Sequence, residues 1–334
     1  MAHLYILDNG STIAVEGGRF IIKQKKELVR SIPKESVESI SIFGNSSLTT
    51  PCIQELLSAD IPVCFFSSRS KYYGRLVSTS GDKVTLLKKQ FDYFAREEAV
   101  LLLSKKLVNA KINNQYIVLR RYLDQQKTEY LRQLSIMRET QKKVEQAQTT
   151  AEIMGYEGMA AKMYFDLISR IIQPEFRFRG RNRRPPTDPF NSLLSLGYTL
   201  LLYEVMAKIE NTGLNPYCGI LHQDRAGSPA LASDLMEEWR AVLVDSTVLS
   251  MIQGRELHLK DFVNDEETGG VFLTNEGMRK FINKFERKLN TRNKYLSYEA
   301  KEYSFRQAME IQCRKIVECI DQESPEFYAP IRIR

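Results

Sequence analysis

Cysteine is scarce and wrongly spaced for either of its structural uses. The 334-residue chain holds five, Cys52, Cys64, Cys218, Cys313 and Cys319, an odd number with no CxxC pair. That excludes a disulfide framework and a sulfur-rich zinc site, and predicts reduced, mostly buried thiols. Unbroken apolar runs are missing too. The longest, "SLLSLGYTLLLYEVM", is interrupted by polar residues and falls short of the ~20 apolar residues that cross a bilayer, so no membrane span is expected. The opening "MAHLYILDNG" has no charged leader, apolar h-region or small-residue cleavage site; it reads as the start of a strand, and a cytoplasmic location is the expectation. With no internal repeat and no low-complexity tract, solenoid and low-complexity architectures drop out as well.

What remains is an ordinary folding composition, 43% hydrophobic and 10% aromatic, long enough for two domains. The periodicity changes near residue 80. Before it, "HLYILD", "STIAVEG", "RFIIKQ", "SVESISIFG" and "IPVCFFSS" are short β-branched or aromatic runs punctuated by Gly, Asn, Pro and Ser, interrupted by one helix with Thr50 as cap and Pro51 as first helical residue. From Phe91 onward the pattern is helical, through "FAREEAVLLLSKKLVNAKINNQYIVLRRYL" and "KTEYLRQLSIMRETQKKVEQAQ". The reading is an α+β protein: a small β-rich domain over residues 1–78, a linker over 79–90 that takes in most of the turn-rich "STSGDKVT", and a nearly all-α domain over 91–334.

Lysine and arginine number 48 against 41 acidic residues, a net charge of +7. Their distribution says more than the total. In "PEFRFRGRNRRPPTDP" five arginines, Arg177, Arg179, Arg181, Arg183 and Arg184, fall within eight residues between prolines that forbid a continuous helix. Guanidinium forks of one sign in a loop suit phosphate oxygens, and the alternating Phe176 and Phe178 suit either base stacking or anchoring.

"GYEGMAAKMYF" reads as helix yet places Gly155 and Gly158 around Glu157. Two helical glycines cost roughly 2 kcal/mol relative to alanine. Either close helix packing or open space around the carboxylate must offset that. A second chemical stretch is "GILHQDRAGSPALASDLMEEWR". Ser228 as N-cap and Pro229 as first residue predict a helix running through at least Val242. Leu231, Leu235, Trp239 and Val242 share its apolar face, while Asp234, Glu237 and Glu238 cluster on another, either solvated or chemical. His222, on a strand or turn just upstream, can fold back over the acidic face. A His/carboxylate set suits Mg²⁺ or Mn²⁺ better than zinc.

Together, "GYEGMAAKMYF", the arginine loop running into "PPTDPFNSLLSLGYTLLLYEV", and "GILHQDRAGSPALASDLMEEWR" resemble the CRISPR-associated spacer integrase, the core enzyme of CRISPR adaptation. "FGNSSLTTPCIQELLSADIPVCFFSSRSKYYGRL" resembles that family's β-rich N-terminal domain. The resemblance implies metal ligands Glu157, His222 and Glu237, with Asp234 supporting the catalytic site. It also implies that Asn191 and Tyr198, seven residues apart on one helix face, line it, although packing suits Tyr198 equally. Arg240, closing the quoted stretch, joins the loop arginines among the DNA-binding candidates.

The implied chemistry joins the 3′-hydroxyl of a short foreign DNA to a phosphodiester of the CRISPR repeat by direct transesterification, with Mg²⁺ or Mn²⁺ as cofactor and hydrolysis possible at the same centre. The implied partners are double-stranded DNA (prespacer and repeat), a second copy bound through the N-terminal domain, and a small second adaptation protein. Three other readings use the same residues: a metal-dependent nuclease without joining, a non-catalytic nucleic-acid scaffold, and an acid/base enzyme such as a glycosylase using Asp234 and Glu238. Glu238→Ala, displaced around the helix, is expected to affect activity more mildly than Glu237→Ala.

Overall fold

The structure, a computed structural model, describes residues 2–78, 83–123 and 128–333. The chain divides into two compact units, Met1–Asp82 and Lys83–Arg334. The first carries strands β1 (Ala2–Ile6), β2 (Ser11–Glu16), β3 (Arg19–Gln24), β4 (Glu27–Pro33), β5 (Val37–Phe43) and β6 (Ser47–Leu48), helix α1 (Thr50–Ser58), and strands β7 (Val63–Phe66) and β8 (Tyr72–Leu76). They form two four-stranded sheets, ordered β1-β5-β7-β8 and β4-β3-β2-β6. In the first sheet β1, β5 and β7 run parallel, with Leu4 opposite Ile40 and Ile40 opposite Val63. Ile13, Phe20, Ile40, Ile42, Cys52, Leu56 and Val63 meet in one buried core. Helix α1 begins one residue earlier than its sequence suggests: Thr49 is the cap, its hydroxyl accepting from the Cys52 amide at 3.4 Å.

The second unit is mainly helical, as expected, and its first helix, α2 (Val84–Phe94), opens ahead of Phe91; residues 79–82 of the expected linker lie outside the described residues. Next come α3 (Glu97–Tyr122), α4 (Thr128–Gln146), α5 (Thr150–Ile171) and α6 (Pro189–Thr212). Helices α3, α4 and α5 pack on one another around Val108, Ile112, Val144, Ile153 and Ala160. Helix α6 is, by length and composition, apolar enough to cross a membrane, more so than its interrupted sequence suggests. Its leucines instead form the centre of this unit, with Leu193, Leu194 and Leu201 fully buried. Gly197 on α6 is required by close approach: a Cβ there would overlap Val244 and stand 3.0 Å from the Phe281 ring.

The long helix predicted from Ser228 through Val242 is broken into pieces. Helix α7 (Ala230–Leu235) is flanked by Pro229 with no side-chain cap, α8 (Glu237–Trp239) is one short turn, Arg240–Asp245 winds as π-helix, and α9 (Ser246–Gln253) follows. The expected apolar face is present, since Leu231, Leu235, Trp239 and Val242 are all buried. A π segment widens the helix locally, and such segments recur at functional sites. Strands β9 (Phe262–Asp265) and β10 (Gly270–Leu273), helix α10 (Asn275–Leu289), the short β11 (Arg292–Asn293) and β12 (Tyr303–Ser304), and helix α11 (Phe305–Asp321) complete the unit. All five cysteines are free, and all but the half-buried Cys64 are buried.

Candidate active site

Glu157 lies on α5 with its side chain 25% exposed. Both flanking glycines are exposed, and a Cβ at Gly155 or Gly158 would meet nothing within 4 Å. Close packing is therefore not what the glycines serve. They leave a low, bare helix surface beside the carboxylate.

The second carboxylate comes from α8. Glu237 is buried, with Arg240 3.2 Å from one oxygen and Lys111 of α3 2.7 Å from the other. The same Lys111 ammonium bonds Glu157, so two acidic side chains from separate helices converge on one cation. Burial alone would raise the Glu237 carboxyl, but Arg240 and Lys111 outweigh it and hold the group at about 2. Glu237 Oε2 is buried with the Lys111 ammonium as its ion-pair partner.

Asp234 has a different task from Glu237. Its buried carboxylate accepts the amides of Ile220 at 2.6 Å, Leu221 at 2.9 Å and His222 at 3.0 Å, so the turn 219–224 is wrapped around it. Gly219 permits that turn; a Cβ there would be 2.6 Å from Ala230 Cβ and 2.8 Å from the His222 carbonyl oxygen. Asp234 also lies 2.5 Å from His222 Nδ1, and that hydrogen bond raises the imidazole pKa above its ordinary value. With Nδ1–H given to Asp234, Nε2 is left as the acceptor, the arrangement that orients histidines toward metal ions.

Glu238 departs from the expected stripe. It is fully buried, turned away from Glu237, and accepts from the Tyr328 hydroxyl at 2.8 Å, the Ile331 amide at 2.5 Å and the Gln312 amide at 3.0 Å. It holds the C-terminal segment, neither facing solvent nor pairing with Asp234, which removes the acid/base dyad reading.

The arginine loop divides into an outer and an inner set. Arg177, Arg179, Arg183 and Arg184 are exposed, and Arg177, Arg179, Arg170 and Ser169 line an open cleft of about 530 Å³. Arg181 points inward and bonds Asn191 Oδ1. Asn191 is fully buried, with its amide group on the Gly180 carbonyl at 2.9 Å and Asp188 at 2.7 Å. The resemblance made Asn191 a residue lining the active site and a DNA-binding candidate; in the structure its polar atoms fasten the loop to α6. Phe176 and Phe178 are likewise buried, Phe178 stacked on Phe190 with ring centroids 4.3 Å apart. They anchor the loop and are not available to stack on bases.

Tyr198 connects the loop to the carboxylates. The Arg181 and Arg240 guanidinium carbons stand 5.4 Å and 4.9 Å from its ring centroid. Its hydroxyl donates to Asp245 at 2.6 Å, and Tyr164 of α5 donates to the other Asp245 oxygen at 2.8 Å. Arg181, Tyr198, Arg240, Glu237, Lys111 and Glu157 thus form one continuous polar chain. Sequence reasoning missed Lys111, Tyr164 and Asp245. Only Lys111 carried a legible signal, a lysine in helical phase with the buried Leu107, Val108 and Val118 of α3.

The donor chemistry fits a hard divalent cation: two carboxylates on a shared positive centre and an imidazole with its tautomer fixed. Among the described residues, however, no three His, Cys, Asp or Glu side chains stand together closely enough to enclose an ion, and Glu157 and Glu237 both pair with Lys111.

Comparison with known proteins bears on this arrangement. Residues 4–287 match the family model described as CRISPR associated protein Cas1. The CRISPR-associated endonuclease Cas1 of Mycobacterium tuberculosis (strain ATCC 25618 / H37Rv) is 34% identical over 333 residues, covering 100% of this chain and 98% of the relative. Among solved structures, a Cas6-RT-Cas1–Cas2 complex superposes with a TM-score of 0.87 at 25% identity, over 100% of this chain and 36% of that one. A casposase bound to integration product superposes with a TM-score of 0.84 at 25% identity, over 97% of this chain and 92% of that one. The resemblance in the sequence motifs and the match along the chain agree: the chain belongs to the CRISPR-associated Cas1 family.

Proposed function

We propose that this chain is a divalent-metal-dependent DNA integrase and endonuclease that inserts short foreign DNA into a CRISPR repeat array. One observation carries the reading: Glu157 and Glu237, from separate helices, converge on a single cation, Glu237 lies within electrostatic reach of an imidazole held by Asp234, and a polar chain runs from them to the arginine loop. Relatives named as endonucleases and a neighbour solved with an integration product support it.

Glu157, Glu237 and His222 Nε2 would hold Mg²⁺ or Mn²⁺. When bound, such an ion supplies Lewis acidity at the scissile phosphate and stabilises the charge that develops on its oxygens. Asp234 keeps His222 oriented. Arg240 stays beside Glu237 and the Tyr198 ring, adding fixed positive charge where phosphate arrives. The outer arginines grip the DNA backbone, and the bare surface at Gly155 and Gly158 lets it approach Glu157. In the joining step the 3′-hydroxyl oxygen gives up its proton to solvent as it bonds to phosphorus, the repeat-strand P–O bond breaks, and the departing oxygen takes up a proton from solvent, so no covalent protein intermediate is required. The partners under this reading are prespacer and repeat DNA, a second copy of the chain through the β-rich unit, and a small second adaptation protein of the kind joined to the neighbour titled as a Cas1–Cas2 complex.

The test is transfer of a labelled DNA into a repeat-containing plasmid with Mn²⁺ or Mg²⁺. Wild type should give joined product, while Glu157→Gln and His222→Ala should fall to background with thermal melting near wild type. Full joining by either variant would sink the assignment. Cleavage with no joined product from wild type would reduce the chain to a nuclease.

A further inference from the structure

Lys111 occupies the point at which Glu157 and Glu237 meet, and the proposed function gives it no part. Its side chain is 8% exposed, and its backbone is fixed inside α3 between Ala110 and Ile112, both fully buried. Three residues on, Asn114 bonds the Glu238 carbonyl at 2.8 Å and the Ile331 carbonyl at 3.0 Å, which locks this stretch of α3 to the helix carrying Glu237. The ammonium is therefore built into the site.

A buried lysine is costly unless paired, and two buried or half-buried carboxylates brought together repel unless a cation lies between them. Lys111 resolves both conditions at once. It also occupies the position that a divalent ion would need, and two cations a few ångströms apart in a desolvated pocket repel strongly. Lysine suits such an exchange better than arginine, since its ammonium is a point charge on a flexible stem, without the rigid fork that fixes a guanidinium to carboxylates.

We propose that Lys111 is an internal counter-ion that competes with the divalent metal for Glu157 and Glu237, keeping the pair assembled in the metal-free protein and being exchanged for the ion on binding. The inference rests on the metal-site reading. Mn²⁺ affinity in this chain is then set partly by the cost of releasing Lys111.

The experiment titrates the full-length chain with Mn²⁺ alone, by calorimetry and by the paramagnetic resonance signal of free Mn²⁺, alongside melting with and without Mn²⁺. Lys111→Met, close in shape but uncharged, should tighten the Mn²⁺ Kd about tenfold or more, lower the metal-free Tm, and enlarge the Mn²⁺-induced rise in Tm. Lys111→Arg, which keeps the charge and grips both carboxylates, should weaken Mn²⁺ binding at least about threefold. It carries the test if Lys111→Met does not fold without metal. Glu157→Gln is the reference. If it weakens Mn²⁺ binding while Lys111→Met leaves the Kd unchanged or weaker, or Lys111→Arg leaves it unchanged, the competition is overturned and the metal site stands. If Glu157→Gln has no effect on Mn²⁺ binding, the metal site falls and this inference with it.

Discussion

Adjacent glutamates on α8 have been given opposite work. Glu237 faces Lys111 and Arg240 and is held at about 2, whereas burial raises Glu238 to about 7 despite the donors from Tyr328, Ile331 and Gln312. A short turn of helix makes this possible, because successive residues point about 100° apart. Sequence periodicity grouped both in one acidic cluster; it could not show that the C-terminal segment packs over Glu238 and Lys111 over Glu237. Glu238→Ala would leave the Tyr328 hydroxyl, the Ile331 amide and the Gln312 amide buried without their acceptor. At about 1–3 kcal/mol for each orphaned group, discounted for relaxation, the cost should reach about 3–5 kcal/mol. A residue expected to be milder in activity thus carries a stability role that its spacing gave no sign of. Urea unfolding of Glu238→Ala against Glu157→Gln measures this, and equal stability of the two variants would show that the C-terminal segment does not depend on Glu238.

Among the elements, the arginine loop shows where composition informs and where it cannot. Five like charges between prolines announced a basic loop, and the loop is there. Composition could not tell which arginines face outward, because that depends on Asn191, Asp188 and Phe190 arriving from α6 to fasten Arg181 and Phe178. The same limit explains the helix after Ser228. Its apolar residues were legible from their spacing, but the π segment, whose Val244 packs close to Gly197 of α6, leaves no mark in that spacing. Lys111 was written into the apolar phase of α3, and only the structure shows the carboxylates that justify it. The division within the loop has a measurable consequence. Replacing the exposed Arg177, Arg179 and Arg183 together by alanine should weaken DNA binding across all sequences and flatten its salt dependence, by about 0.9 in log–log slope for each duplex phosphate left without its arginine. Arg181→Ala should leave the slope nearly unchanged and instead lower Tm, since it removes the tie to Asn191. A reversed result would place Arg181 on the DNA and the outer arginines off it.

At the scale of the whole molecule, two units with separate cores share one chain, and the α+β class with its order of β-rich then helical parts was legible because periods of 2.0 and 3.6 residues survive any detail of packing. What periodicity does not reveal is how the stability of the helical unit responds to pH, which depends on buried charge. Asp245 on the π segment is 1% exposed, with Tyr164 and Tyr198 donating to it and Arg181 and Arg240 nearby. Burial outweighs these partners and raises its carboxyl to about 6, above the ordinary value of about 3.9. The native state therefore binds this proton more tightly than the unfolded chain does. Its stabilising contribution is complete below about pH 4 and is lost as pH rises through about 6, where the cost of a buried ionised carboxylate is fully present. Two pKa units correspond to ~3 kcal/mol at 1.36 kcal/mol per unit. Asp245→Asn removes the titration and keeps the shape. Other titrating groups cancel when the variant is compared with wild type at each pH, so the stability of Asp245→Asn relative to wild type should improve by ~3 kcal/mol between pH 4 and pH 7.5. A difference that stays constant across that range in urea unfolding would mean that Asp245 is ionised throughout, held by its two tyrosines and two arginines more strongly than burial opposes.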